Sequence, residues 1–295
     1  MTTLAQLTGA LSRLDRELSY TTQDFDRIAR FMHEATGIRL TEANERMVYA
    51  RLAGRVHDLG LDSFAAYVDK ATAPLAGEER DRLISCLTTN TTHFYRESYH
   101  FDFFAQQILP GLTARARTGE RIRIWSAGCS TGEEAYSIAI CLLQGFPDAA
   151  VHDVKILATD IDRAVLARAV AASYPPSSLR DLPKPLLDTC FDPVPGSDHR
   201  TPKAQIKSLV TFRSLNLIEP WPFRGQFDAI FCRNVAIYMD ADTQEHIWTG
   251  FRKVLRPGGH LFIGHSERLS PSLKGCFTIV GNTIHRRNAD PATGR

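Results

Sequence analysis

Several things are missing from this chain, and each absence narrows what it is. No apolar run approaches the ~18–20 residues needed to cross a bilayer, so no membrane insertion is expected. The opening residues, Met-Thr-Thr-Leu-Ala-Gln, show neither a basic start nor a long apolar block, so no secretory leader is expected from them. There is no Cys-x-x-Cys pair. Cys86, Cys129, Cys141, Cys190, Cys232 and Cys276 are scattered, several inside apolar runs. That favours buried free thiols over disulfides or zinc and fits a reducing cytoplasm. Charge of one sign is lacking too: a net charge of +2 over 295 residues argues against a dedicated nucleic-acid binder. Repeats and low-complexity tracts are absent. His93, His100, His246 and His265 show no metal-ligand spacing, and no metal is expected.

What is present divides the chain in two. Residues 1–88 carry helical patterns alone. Phe25, Ile28, Ala29 and Met32 recur at helical spacing before Gly37, a residue suited to a left-handed cap. Val48, Leu52, Val56 and Leu59 form a second stripe ended by Gly60. Phe64, Tyr67 and Val68 mark a third helix, and Leu83, Ile84 and Leu87 a fourth. This part is slightly acidic, yet from Arg46 to His57 it holds Arg46, Arg51 and Arg55 and no carboxylate. Arg51 and Arg55 share one helix face. They make either a solvated face or a docking surface for an acidic partner.

Residues 89–295 alternate strand and helix. Thr88–Arg96 is a polar joint, followed by a helix through Phe101, Phe103, Phe104 and Ile108 that should stop near Pro110-Gly111. Strands are expected at Ile122–Ala127, Val154–Ala158, Phe212–Leu217, Phe227–Cys232 and His260–Gly264, with helices at Arg163–Ala172 and Thr243–Leu255. Phe277–Val280 and Thr283–His285 look like an edge hairpin. Tyr174–Thr211, with seven prolines, reads as an insertion. The fold class is therefore α/β: a doubly wound, mostly parallel sheet with a small all-helical domain before it.

The central stretch is Ile122–Ala139, where a strand runs into the turn Ser126-Ala-Gly-Cys-Ser-Thr-Gly132 and then a helix. Gly128 and Gly132 allow a tight turn and a close approach to a ligand. In such a sheet the ligand lies over the C-terminal strand ends. That gathers the turn, Asp160, Asn216 and Arg233-Asn234 at one edge. Asp160 lies 32 residues after Gly128, further than the ~20 of a dinucleotide site, and the turn is not Gly-x-Gly-x-x-Gly, so a nicotinamide dehydrogenase is disfavoured. Asp160 can accept from ribose hydroxyls. Asp162 is better placed to cap the next helix.

These runs carry a resemblance. Thr89-Asn-x-Thr-x-Phe-Tyr-Arg96 with Glu97, Trp125-Ser-Ala-Gly-Cys-Ser-Thr-Gly-Glu-Glu134, Ala158-Thr-Asp-Ile-Asp162, Phe227-Asp-Ala-Ile-Phe-Cys-Arg-Asn-Val-x-Ile-Tyr238, Leu255-Arg-Pro-Gly-Gly259 and Gly264-His-Ser-Glu267 resemble the chemotaxis receptor methyltransferases, the CheR family, in the right order from about Phe25 to Arg286. The resemblance implies S-adenosylmethionine as cofactor, S-adenosylhomocysteine as product, and methyl esterification of glutamates on the cytoplasmic helical bundle of chemoreceptors by a cytoplasmic, monomeric enzyme. It implies cofactor contacts at Asn90, Thr92, Arg96, Glu134, Asp160, Asn216, Leu217, Arg233 and Asn234, with Arg96 and Tyr238 at the methyl-transfer end. It makes the helix bearing Arg46, Arg51 and Arg55 receptor-facing, and residues 174–212 a small β-subdomain. Ala236 stands where the family often has a larger Met. Gly54 and His57 occupy positions often basic, and Asp192–Lys203 lacks an obvious Gly-x-Gly tip. Two rivals remain: a cofactor-sensing module without turnover, and a methyltransferase of the same fold with another substrate. The Asn/Asp-Pro-Pro-Tyr/Phe run of base-amine methyltransferases is missing after Cys232.

Overall fold

A computed structural model describes residues 18–290. The chain divides into two compact units, with the boundary between Thr89 and Asn90. Residues 1–17 of the expected helical domain, and 291–295 at the other end, lie outside the described residues.

The first unit is built from α1 (Thr22–Thr36), α2 (Glu45–Asp58), α3 (Phe64–Thr72) and α4 (Gly77–Leu87). Its boundaries follow from local chemistry. Thr21 and Asp24 form a reciprocal capping box at the start of α1. Gly37, at φ 75°, ends the helix by donating its N–H to the His33 carbonyl at 2.9 Å. Val48, Leu52 and Val56 on α2 are fully buried with Phe64, Tyr67 and Leu83, as the apolar spacing requires.

The second unit begins with α5 (Tyr99–Phe103), which passes through a π-helical stretch (Phe104–Ile108) into α6 (Leu109–Arg117). The expected stop at Pro110-Gly111 does not occur. Pro110 falls in the first turn of α6, where a missing N–H leaves no helical bond unmade. Then come β1 (Ile122–Ala127), α7 (Glu133–Gly145), β2 (Val154–Asp160) and α8 (Arg163–Ala171). The proline-rich stretch folds into three short helices, α9 (Pro176–Leu179), α10 (Lys184–Cys190) and α11 (Ala204–Lys207), around an antiparallel pair, β3 (Phe191–Pro193) and β4 (Arg200–Pro202). Next are β5 (Val210–Ser214), β6 (Phe227–Cys232), α12 (Ala241–Val254), β7 (Leu255–Ile263), β8 (Phe277–Gly281) and β9 (Ile284–Arg287).

The main sheet runs β5-β2-β1-β6-β7-β9-β8. Neighbours from β5 to β7 are parallel, and β9 and β8 add an antiparallel hairpin at one edge. β6 is buried along its whole length, as a central strand of a parallel sheet should be. Strand boundaries differ from those expected, most at β5 and β7. β5 runs from Val210 to Ser214, not from Phe212 to Leu217, so the expected insertion overlaps a strand of the main sheet and Asn216 and Leu217 lie past its end. Arg256-Pro257-Gly258-Gly259 does not separate a helix from a strand but lies within β7. It forms an irregularity there: Phe227 pairs with Leu255, and Ala229 already with His260. A Cβ on Gly259 would lie 3.0 Å from the Asp228 carbonyl, so only glycine lets the strands close at that point. The stacked rings of Phe231 and Phe262, 4.1 Å between centroids, tie β6 to β7.

Candidate functional site

The order of strands reverses at β1, which pairs with β2 on one side and β6 on the other. Ligands of open α/β sheets bind beyond the strand ends at such a switch point. The segment Asn90–Glu97 is fastened across this edge. Asn90 accepts from Ser130 Oγ at 2.8 Å through its carbonyl and donates from Nδ2 to Asp162 Oδ2 at 2.8 Å. The Tyr95 N–H donates to Ser137 Oγ at 3.0 Å. Tyr95 and Glu97 both have positive φ, 53° and 54°. Side chains rarely adopt such backbone, and it persists where the surroundings over-determine it.

Around this edge sit four buried carboxylates, Asp160, Asp162, Glu133 and Glu134. Asp160, ending β2, accepts the Ser130 N–H at 2.8 Å and the Asp162 N–H at 3.0 Å. Burial pushes its carboxyl up to about 6 despite those donors. Asp162 caps α8 through the Ala164 and Val165 N–H groups, as its position suggests. Glu134, in the first turn of α7, accepts Ser126 Oγ at 2.7 Å and Arg233 Nη1 at 3.2 Å; burial raises its carboxyl, and Arg233 opposes that rise. Glu133 accepts Thr131 Oγ1 at 2.6 Å and is likewise raised by burial.

Arg233 is the cation that balances this acidity. It is buried between Glu134 and Glu97, 3.3 Å from Glu97 Oε2, donates to the Arg96 carbonyl, and lies over the Phe101 ring at 5.6 Å. Burial works against ionisation of Glu97, but Arg233 and His265 outweigh it and hold that carboxyl down at about 2. His100, buried beside the same carboxylate, is kept neutral by burial and by Arg233, its ring pushed down to about 4.

The glycines of the turn make room for neighbouring side chains of the protein itself. Gly128, at φ 79°, leaves no room for a Cβ because Val235 Cγ2 fills that space. A Cβ on Gly132 would lie 3.0 Å from Ala169 Cβ and from the Tyr174 hydroxyl. Both admit the protein's own neighbours. Cys129 and Cys232 lie buried at this edge, and burial raises both thiols well above their ordinary value.

After β6 the chain turns sharply through Arg233–Ala236, with Asn234 at φ 60°. Glu267, after β7, holds this turn: its carboxylate accepts the N–H groups of Asn234, Val235, Ala236 and Gly264. Asn234 Oδ1 is buried with no hydrogen-bond partner among the described residues. A buried unpaired acceptor is costly and calls for a donor from outside the chain. Tyr238, a few residues on, is exposed at 37 % beside Ile237 at 41 %.

Of the remaining expected site residues, Arg96 donates from Nη1 to the Thr91 carbonyl at 3.0 Å and has no carboxylate within 4 Å among the described residues. Thr92 is half-buried. Asn216 lies just past β5, its Nδ2 3.1 Å from Glu219 Oε1, and Leu217 is buried in the core on the α12 side. Arg46, Arg51 and Arg55 belong to the helical unit. Arg55 binds Glu79 through two bonds, 3.0 and 2.6 Å. Arg51 caps α4 at the Leu87 and Thr88 carbonyls. Arg46 is exposed and unpaired among the described residues. Glu97, Ser126, Ser130 and Glu267 carry no assigned role in the sequence reading.

A cationic sulfonium compound suits this acid-lined edge better than an anionic nucleotide does, and the orphaned Asn234 oxygen and partly exposed Arg96 are fit to meet its polar groups. The fold and its sequence match define an S-adenosylmethionine-binding methyltransferase: the family described as "CheR methyltransferase, SAM binding domain" matches residues 90–285, and "CheR methyltransferase, all-alpha domain" matches residues 23–88. The chain belongs to the CheR methyltransferase family. It is 43% identical over 257 residues to a probable chemotaxis protein methyltransferase of Rhizobium etli, covering 86% of this chain and 96% of that one. It is 38% identical to the chemotaxis protein methyltransferase of Salmonella typhimurium, with 97% of each covered. It is 40% identical to chemotaxis protein methyltransferase 2 of Pseudomonas aeruginosa, with 92% and 95% covered.

Proposed function

We propose that this enzyme methylates glutamate side chains on the cytoplasmic helical bundle of chemoreceptors, working as a monomer in the cytoplasm. The observation that carries this reading is the end-to-end likeness to chemotaxis protein methyltransferases, with 97% of both chains covered in one case. No helix among the described residues is long and apolar enough to cross a membrane.

The bound cofactor supplies an electrophilic methyl group whose sulfonium charge is lost on transfer. In this reading Asp160 accepts from the ribose hydroxyls, Asn234 Oδ1 takes an N–H donor of the nucleoside, and Asn216 and Leu217 border the adenine. Asn90, Thr92 and Glu134 hold the amino-acid part. Arg233 pairs with Glu134 and opposes the rise that burial imposes on its carboxyl. The acceptor, a glutamate with an ordinary pKa of about 4.3, is already a carboxylate at neutral pH, so no general base is needed. What the protein must provide is alignment and exclusion of water. Arg96, a site guanidinium with no carboxylate within 4 Å among the described residues, is suited to clamp the substrate or cofactor carboxylate in bidentate fashion. Tyr238 donates to the acceptor or walls it in. Arg46 contributes charge toward an acidic receptor surface.

Incubation with tritiated S-adenosylmethionine and receptor-containing membranes tests this. Label should enter the receptor and be released by mild base, as an ester is. Base-stable label would mean another acceptor, and no label with the cofactor bound would favour a sensing module.

A further inference from the structure

The geometry points to Glu267 as a positioning residue for cofactor binding: its carboxylate fixes where Asn234 presents its amide. This rests on the proposed contact between Asn234 and the cofactor.

Three successive amides, those of Asn234, Val235 and Ala236, converge on one carboxylate at 3.0, 3.0 and 2.8 Å, and the Gly264 N–H makes a fourth bond at 2.5 Å. Backbone N–H groups arranged this way make a concavity for an anion. Here an internal anion, reached across about thirty residues of chain, fills it. Glu267 is 4 % exposed, and no Lys, Arg or His lies within 4 Å of its carboxylate among the described residues. Backbone dipoles alone stabilise the charge. The donors are shared two to each oxygen: Asn234 and Gly264 on Oε2, Val235 and Ala236 on Oε1. A neutral amide in that place would turn an NH2 group toward two N–H donors.

What this bonding secures is an unfavourable backbone. Asn234 sits at φ 60° with its Oδ1 buried and unpaired. Neither feature persists without restraint. The space behind it is full: a Cβ on Gly264 would lie 2.7 Å from both N and Nδ2 of Asn234 and 2.9 Å from Glu267 Oε2. Asn234 is thus held from two sides, by bonds through its own amide and by contact at Gly264, with its amide oxygen left for a ligand.

The test uses the full chain carrying Glu267→Gln. Titration with S-adenosylhomocysteine should show affinity weakened by about tenfold or more, the loss expected for an orphaned hydrogen-bond group. Deuterium uptake without ligand should accelerate in 233–238 and stay unchanged in β1 and α7. At saturating cofactor, kcat should largely recover. A merely structural role would lower the active fraction, and so kcat, while leaving the dissociation constant unchanged. Affinity within about twofold of the parent, or unchanged exchange at 233–238, overturns the proposal. Should Glu267→Gln fail to fold, Gly264→Ala keeps the carboxylate but crowds both it and Asn234, and the same two readouts decide. If the parent protein itself binds no S-adenosylhomocysteine, the cofactor reading fails, whereas the exchange contrast still reports on the clamp.

Discussion

Glu97 Oε2 lies 3.3 Å from Arg233 Nη2, inside a site where Arg233 also holds Glu134. A carboxyl held at about 2 against an ordinary 4.5 corresponds to about 3 kcal/mol of native-state stabilisation. Because the folded value is depressed, that contribution is present above pH 4.5 and is lost as the pH falls toward 2. Glu97→Gln should therefore cost about 3 kcal/mol at pH 7, a penalty that shrinks below pH 4.5. Denaturant unfolding at pH 7 and pH 3 checks this; a penalty independent of pH would remove the ion pair from the account.

Asp160 works in the opposite direction. Its folded value of about 6 exceeds the ordinary 3.8, so its stabilising state is the protonated one. The parent should lose about 3 kcal/mol relative to Asp160→Asn between pH 4 and pH 7. If the ionised carboxylate accepts from ribose, cofactor affinity should fall as the pH drops below 6 in the parent, and Asp160→Asn should bind weakly at every pH. Paired unfolding and calorimetric titrations across this range would show both effects.

Among the described residues the Arg96 side chain donates to the Thr91 carbonyl. Arg96→Ala should leave the melting temperature nearly unchanged and lower methyl transfer by at least about a hundredfold, the scale of a lost charge-stabilising contact. Tyr238→Phe separates the two readings of the ring: a hydrogen-bond donor predicts a loss of about tenfold, a wall predicts none. Transfer rates at saturating cofactor decide.

The three arginines of α2 should not behave alike. Arg55→Glu sets a second carboxylate against Glu79 and should lower the melting temperature by several degrees, corresponding to about 1–3 kcal/mol. Arg46→Glu removes an exposed, unpaired charge, so it should leave stability unchanged and weaken methylation of receptor. Full methylation by Arg46→Glu would place the receptor contact elsewhere.

Much of this was legible in the residues. The stripe at Val48, Leu52 and Val56 repeats with helical spacing before Gly60, Gly37 marks a helix end, and Phe227–Cys232, apolar but for Asp228, reads as a central strand. The proline at 110 misled because a proline ends a helix or starts one equally well, and local composition does not say which. Arg256–Gly259 resembled a loop because strand pairing across an irregularity depends on the partner strand. At the site, Asp160 and Asn234 followed from their place after strands. Glu267 also stands after a strand, but its role was hidden, since its partners are backbone amides that no side-chain pattern encodes. For the same reason Arg55 passed for a docking charge: Glu79 lies 24 residues away in sequence.

The burial of Cys129 and Cys232 has a chemical consequence. Thiolates are the strongest nucleophiles a protein possesses and are readily alkylated, and both sulfurs stand at the edge proposed to receive a methylating agent. Because burial holds both well above the ordinary thiol value, they are expected to be poor competitors for the donor.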